Sequence, residues 1–244
     1  MPSRIRQRRL LQPVIAKGGV TTRALEQWFA ADYGVTSSGG LVSQINSRNG
    51  KYNYTSSGTS RPTLTTDAGG FSLIQFNGSS TNFTGHNQTM KDAGIEIAAG
   101  AEWHGVFAFP STTNVYLMTL DPAAGEGRAS LRGYRGGVSN ATIFPEAGGT
   151  GGTSVTFAYG TNKVLVSFYR NLGTNTLGVG INGTYSESAT STATALARGN
   201  FNWLNPNGSV PNCNFYEGLG YVDNLTATER AATIAALKTK YGIS

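Results

Sequence analysis

The sequence predicts an all-β fold, a sandwich or barrel of antiparallel strands with one helix at the C-terminal end. Two observations predict it. Short apolar and aromatic runs recur along the 244 residues and are bounded by Gly, Asn, Ser and Pro, the pattern of many short strands joined by turns. Only 13% of the residues are charged and 33 are Gly, which suits tight turns between strands. A chain of this length fits one large all-β domain.

Eight apolar runs supply the strand predictions. They are 41–46, 71–76, 103–109, 115–120, 154–159, 163–169, 176–182 and 214–222. In the run 163–169, side chains alternate between two faces, with Val164, Val166 and Phe168 on one face and Leu165, Ser167 and Tyr169 on the other;. Asn182-Gly183 predicts a two-residue hairpin turn, and the glycine-rich stretch 147–153 predicts a hairpin loop and not a domain linker.

The one predicted helix begins at Thr226. Thr226 and Glu229 have the spacing of a capping box;. Basic residues near the end suit the helix dipole, and Gly242 can end the helix. An apolar stripe is expected to pack this helix against the β core, formed by Ala231, Ile234, Ala235 and Leu237;.

The positive charge is confined to the start of the chain. The net charge is +6, and residues 1–23 hold six cations, Arg4, Arg6, Arg8, Arg9, Lys17 and Arg23, with no acid before Glu26. Residues 24–244 are therefore formally neutral. We expect an extended basic N-terminal arm over residues 1–23 and a sandwich domain over residues 24–244. A basic surface on the domain is not required.

Three roles are open for the arm. It can be a disordered tail, it can bind nucleic acid, or it can dock on a protein groove. The apolar residues interleaved with its cations favour a protein groove and argue against nucleic acid, since phosphate binding does not need them. The predicted partner-binding residues are Arg4, Ile5, Arg6, Arg8, Arg9, Leu10, Leu11, Val14, Ile15 and Lys17.

The sequence also argues against a secreted, a membrane-spanning and a disulfide-bonded protein. The stretch 10–16 is short and interrupted by Gln12 and Pro13, so we expect no secretory signal peptide. No apolar run approaches the length of a membrane span. The single cysteine, Cys213, permits no internal disulfide;.

Several segments resemble the laminin G-like members of the concanavalin A-like lectin and glucanase superfamily, modules common in phage and bacterial surface proteins. The segments are 27–32 (QWFAAD), 42–50 (VSQINSRNG), 61–63 (RPT), 74–79 (IQFNGS), 215–221 (FYEGLGY) and 240–243 (KYGI). The resemblance implies a jelly roll of two facing antiparallel sheets. The superfamily contains lectins, hydrolases and structural modules, so the fold does not select a function.

We expect no enzyme activity. A retaining glucanase needs two carboxylates about 5 Å apart, but Glu96 and Glu102 are too widely spaced, and Asp121 and Glu126 flank a predicted turn. The histidines, His86 and His104, stand apart from other metal ligands, so no metal site is predicted. Calcium remains open, with oxygens from Asn212, Asn214, Glu217, Asp223 and Asn224;.

Two stretches combine aromatic and polar residues as a glycan-binding surface requires, 132–135 (RGYR) and 201–205 (FNWLN). The predicted glycan-binding residues are Arg132, Tyr134, Arg135, Trp203 and Asn205. The alternative is that each stretch is a loop whose aromatic residue plugs the edge of the sandwich.

These inferences lead to a phage virion structural protein, a capsid decoration or head-fibre-like protein on the capsid exterior. The arm would dock on the major capsid protein or on neighbouring subunits, and the jelly roll would face outward. Virion symmetry suggests a homo-oligomer such as a trimer. The alternative is a carbohydrate-binding adhesin or receptor-binding tail module that recognises a host-surface glycan. A depolymerase is a third hypothesis, which the missing carboxylate pair argues against.

Overall fold

The structure is a computed structural model. It describes residues 19–77, 84–85, 100–110, 115–122, 129–135, 140–147, 155–158, 160–171, 173–174, 176–189, 199–203 and 212–244. Residues 1–18 of the predicted arm lie outside this description, as does the predicted loop 148–153. The described residues form antiparallel strands in two sheets, a 3-10 turn at Gly58–Ser60 and one α-helix, α1, at Ala227–Tyr241. Within this part of the chain, α1 is neither long enough nor apolar enough to cross a membrane.

The larger sheet has twelve strands. The strands are β1 (Leu25–Ala30), β2 (Val35–Ser38), β3 (Leu41–Asn46), β4 (Asn53–Thr55), β5 (Thr63–Thr66), β6 (Ser72–Asn77), β7 (Thr84–Gly85), β8 (Gly100–Phe109), β13 (Gly160–Asn171), β14 (Thr176–Ile181), β15 (Thr184–Ala189) and β17 (Asn212–Tyr221). Neighbouring strands follow the order β15-β14-β13-β8-β17-β6-β5-β3-β4-β7, and in addition β1 pairs with β17 and β2 pairs with β3.

The smaller sheet has five strands in the order β12-β11-β10-β9-β16. They are β9 (Val115–Pro122), β10 (Ala129–Arg135), β11 (Asn140–Ala147), β12 (Val155–Ala158) and β16 (Gly199–Trp203). Leu117 and Phe157 of this sheet share one buried cluster with Trp103, Phe168 and other residues of the larger sheet. The two sheets therefore form the predicted sandwich, and each of the eight predicted runs coincides with a strand.

A second core fills the space between the larger sheet and α1. Leu165 and Leu219 of the sheet pack there with Leu237 and Tyr241 of the helix. Strand β13 contributes to both cores, because Val166 and Phe168 face the sandwich interior while Leu165 faces the helix. The alternation predicted for the run 163–169 is confirmed.

The local signals for the turn and the helix ends are also confirmed. Asn182 and Gly183 join β14 to β15 with φ values of 52° and 91°, the positive values of a two-residue hairpin turn. Thr226 and Glu229 form both hydrogen bonds of the capping box, and Gly242 ends α1 in the left-handed conformation.

The predicted apolar stripe of α1 is only partly correct. Leu237 is buried, but Ala231 and Ala235 are exposed, and the other buried residues are Thr233 and Tyr241. Burial follows the larger side chains, since an alanine methyl group removes little apolar surface from water. The helix is consequently rotated away from the predicted face.

The last residues of the predicted arm pack on the domain itself. Val20 is buried in the core beneath α1, and the Tyr221 hydroxyl donates to the Thr21 carbonyl oxygen at 3.2 Å. The Arg23 guanidinium bonds Glu229 and Asp223, each at 2.8 Å. The charge of Arg23 is thus matched by acids of the domain, while the boundary at residue 24 stays a prediction.

Candidate functional site

The two stretches predicted to bind glycan lie on strands of the smaller sheet. Arg132, Tyr134 and Arg135 belong to β10, and Trp203 ends β16. Both stretches are strands and not loops over the described residues, because they continue the antiparallel pairing of the sheet. The choice between glycan binding and a packing role for their aromatic residues stays a prediction. Asn205 lies outside the described residues.

Strands β10 and β16 flank β9, which brings the two stretches together. Trp203 and Leu131 both pair with Met118, and Arg132 pairs with Tyr116 after a bulge. Neighbouring strands lie about 4.8 Å apart, so β10 and β16 are separated by about 10 Å across β9. This separation matches the width of one or two sugar rings.

The pairing also assigns these residues to faces of the sheet. Directly paired residues share a face, and successive residues alternate. Leu131 pairs with Met118 and so shares a face with Trp203, whereas Arg132 and Tyr134 alternate with Leu131 and belong to the other face. Arg135 pairs with Ala141, which pairs with buried Phe157, so the face of Arg135, Leu131 and Trp203 lines the core. We call the face of Arg132 and Tyr134 the outer face of the smaller sheet. The predicted glycan-binding residues on these strands are therefore divided between the two faces.

A second polar and aromatic cluster lies at the end of β1, and the sequence did not reveal it. The Arg48 guanidinium lies 5.4 Å from the Trp28 ring centroid and 4.8 Å from that of Tyr33. Its Nη2 donates to Asp32 Oδ1. Tyr33 is 45% exposed, so this cluster places an aromatic ring beside charged groups at the surface.

Helix α1 completes this cluster from the other end of the chain. Lys240 Nζ lies 3.2 Å from Asp32 Oδ2 and 2.7 Å from Glu217 Oε2. Buried Glu217 also accepts hydrogen bonds from Trp28 Nε1 at 2.5 Å and from the Tyr241 hydroxyl at 2.8 Å. Partial burial raises the pKa of Asp32, but Lys240 and Arg48 outweigh it and hold the pKa below its usual value;.

Three of the resemblance motifs contain members of this cluster, since 27–32 holds Asp32, 42–50 holds Arg48 and 240–243 holds Lys240, but none of them indicates that these residues meet. Arg48 and Lys240 stand 16 and 208 positions beyond Asp32, and no local pattern links them to it. We call Tyr33, Asp32, Arg48 and Lys240 the β1 cluster.

A buried polar layer lies between the larger sheet and α1. His104 places Nδ1 at 2.9 Å from Ser167 Oγ and Nε2 at 3.0 Å from Glu102 Oε1. Arg230 Nε and Nη2 donate to the two Glu102 oxygens at 2.7 and 2.8 Å. Burial raises the pKa of Glu102, but the bonds from His104 and Arg230 outweigh it and lower that pKa;.

The order of Ser167, His104 and Glu102 is that of a hydrolase triad, but the packing gives it a structural role. All three side chains have no exposed surface, so a substrate cannot reach the serine hydroxyl in this conformation. The Glu102 carboxylate is bound by Arg230 and by the Leu225 amide at 3.0 Å. We assign the layer to anchoring α1 on the sheet.

Two of the residues considered for calcium, Glu217 and Asp223, have partners within the protein. Glu217 binds Trp28, Lys240 and Tyr241, and Asp223 binds Arg23. Among the residues described, no group of three or more His, Cys, Asp or Glu side chains has the arrangement of a metal site.

Comparison with known proteins identifies the fold but not the family. No protein-family model matches the chain, and no curated protein matches it in sequence. Solved structures do match. A botulinum neurotoxin type C structure, concerned with interaction with two ganglioside molecules, has a TM-score of 0.54 at 11% identity, over 89% of this chain and 52% of that one. The binding domain of botulinum neurotoxin DC with SialylT has a TM-score of 0.53 at 9% identity, over 89% and 52%.

A Trypanosoma rangeli sialidase bound to a difluorinated sugar acid has a TM-score of 0.56 at 10% identity, over 89% of this chain and 33% of that one. This chain therefore spans about half or a third of the length of these proteins. At such low identity the likeness shows a shared β-sandwich fold alone. Membership of the laminin G-like family stays a prediction.

Proposed function

We propose that the sandwich is a glycan-binding module that recognises a host-surface glycan without hydrolysing it. The observation that supports the proposal is the position of Arg132 and Tyr134, two residues apart on β10, on the outer face of the smaller sheet. Aromatic rings offer apolar faces to sugar C–H groups, and an arginine supplies hydrogen-bond donors to hydroxyl oxygens.

Two further findings support binding over hydrolysis. The structural neighbours include proteins described with gangliosides and sugar acids, and lectin-like sandwiches commonly hold ligands on loops or sheet faces. The serine of the buried layer is closed to substrate.

A glycan array probed with the full chain tests this function. Tyr134→Ala and Arg132→Ala should each weaken binding to the recognised glycan by about tenfold or more. Arg135→Ala is the matched control, because it removes the same charge as Arg132→Ala from the same strand but on the other face. Binding that both Tyr134→Ala and Arg132→Ala retain, or no reproducible glycan binding at all, would overturn the proposal.

We also propose that the N-terminal arm anchors the module to a phage particle as a capsid decoration or head-fibre-like protein. The supporting observation is the charge distribution, since residues 24–244 are neutral while Arg4, Arg6, Arg8, Arg9 and Lys17 precede the described domain. Arginines interleaved with apolar residues suit an acidic groove on the major capsid protein. An adhesin or receptor-binding tail module would use the same glycan surface with a different anchor.

Deletion of residues 1–17 tests the anchoring. The truncated protein should retain glycan binding and fail to join the particle, and anchoring of the full chain should weaken as salt rises. Full occupancy of particles by the truncated protein would refute the arm's role. Because glycan binding is measured separately, the two proposals can fail independently.

A further inference from the structure

The β1 cluster presents an aromatic ring in a fixed position. The Tyr33 amide donates to the Ala30 carbonyl oxygen at 3.1 Å, which closes a tight turn after β1. Gly34 follows with φ of 65°, and a Cβ there would lie 2.9 Å from the Asn46 carbonyl oxygen. The turn is thus held by geometry that only glycine fits well. Tyr33 is presented at the surface with little conformational freedom to lose on binding.

Both hydrogen-bond donors and acceptors lie beside this ring. The side chain of Asp32 is 41% exposed and that of Lys240 is 36% exposed, so the carboxylate and the ammonium can both reach a ligand. Arg48 is held against the Tyr33 ring and against Asp32. Such exposed ion pairs add little to stability, and their buried support by Glu217 fixes their positions.

The charge balance indicates which ligand class suits the cluster. Arg48 and Lys240 are opposed by Asp32 and Glu217, so the four charges cancel. The cluster has no net positive charge to attract an anion, and the Asp32 carboxylate repels one. A neutral sugar fits better, because its adjacent hydroxyls can both donate to a carboxylate and accept from an ammonium.

We propose that the β1 cluster is a second binding site, which takes a neutral hexopyranose. The apolar face of the sugar stacks on the exposed part of the Tyr33 ring. Adjacent hydroxyls donate to Asp32 and accept from Lys240. The site lies on the larger sheet and α1, and it does not depend on the outer face of the smaller sheet.

The experiment is an NMR titration of the full-length Tyr134→Ala protein, so that the first proposed site is disabled. The probes are the methyl α-glycosides of glucose, mannose and galactose, with methyl β-glucuronide as the anionic comparison. We expect at least one neutral glycoside to give saturation transfer and to shift the amide signals of residues 32–34. The glucuronide should bind about tenfold more weakly or not at all.

Variants separate the site from a change in folding. Adding Tyr33→Ala or Asp32→Asn should weaken the binding about tenfold, whereas Tyr33→Phe should keep it because the ring remains. Leu41→Ala is the matched control, since Leu41 is the other large apolar residue that is exposed among those described. The proposal is overturned if no neutral glycoside binds, if the glucuronide binds better, or if Tyr33→Ala binds unchanged.

Discussion

Arg230 offers the sharpest test of the layer that fixes α1 to the larger sheet. Its guanidinium makes two hydrogen bonds to Glu102, whose carboxylate is fully buried. Replacement of Arg230 by Met keeps much of the side-chain volume and removes the charge. The carboxylate then keeps only the bonds from His104 and the Leu225 amide.

Loss of one partner of a buried ion pair costs about 3–5 kcal/mol. The Arg230 side chain is 20% exposed, so water can partly replace it, and we expect a loss of about 3 kcal/mol in the free energy of unfolding near neutral pH.

The loss should also depend on pH. In the native protein the pKa of Glu102 is lowered, so its stabilisation is present at neutral pH and is lost as pH falls below the usual carboxyl range. Without Arg230, fewer groups oppose the effect of burial, so the pKa of Glu102 is higher in the variant than in the native protein and the folded variant gains its proton at a higher pH. The difference in stability between the two proteins should therefore narrow as pH falls from 7.5 to 5.

Urea unfolding followed by tryptophan fluorescence at both pH values measures this difference. Arg230→Lys keeps a charge and should lose less than Arg230→Met, which keeps the test usable if the Met variant does not fold. Lys238→Met is the control on the same helix, because its hydrogen bond goes to the exposed turn at Asn182. A loss below about 0.5 kcal/mol for Arg230→Met, or a loss that does not change with pH, would refute the reasoning.

Three further predictions concern other parts of the described chain. Arg23 lowers the pKa of Glu229 to about 2, so the native protein should lose stability as pH falls from about 4.5 towards 2. Arg23→Gln should remove most of this pH dependence and should lower the free energy of unfolding by about 1 kcal/mol near pH 7, as measured in urea titrations. An alanine Cβ at Gly178 would collide with the Tyr169 ring, so Gly178→Ala should cost about 1–3 kcal/mol in thermal or urea unfolding, whereas Gly173→Ala should cost less than half of that. Burial raises the pKa of the Cys213 thiol, so dithionitrobenzoate should label it only after unfolding, and rapid labelling in buffer would contradict the structure.

Short sequence patterns predicted much of the fold. The alternation in the run 163–169 predicted a strand with two distinct faces, and the structure buries one face in the sandwich and the other beneath α1. The capping box at Thr226 and the turn at Asn182 depend on residues within a few positions of each other, so they could be predicted. The stripe of α1 could not be placed correctly, because its orientation depends on Thr21 and Val20 packing beside it.

The candidate sites depend on long-range pairing, which a single sequence does not contain. Arg132 and Trp203 could be chosen by residue type, but only the pairing of β10 and β16 with β9 shows that they lie on opposite faces of the sheet. The β1 cluster joins Asp32 to Lys240 across almost the whole chain. The charge balance of the β1 cluster and the faces of the smaller sheet could be assigned only from the positions of those strands and of α1.

The central claim is that the outer face of the smaller sheet binds glycan, and the Tyr134 ring on that face gives a direct test. In a titration of the labelled full chain with the glycan selected by the array, the ring signals of Tyr134, assigned by their loss in Tyr134→Ala, should shift. The indole N–H signal of Trp103, buried in the core, should not. A glycan that binds tightly while the Tyr134 signals stay in place would contradict the account.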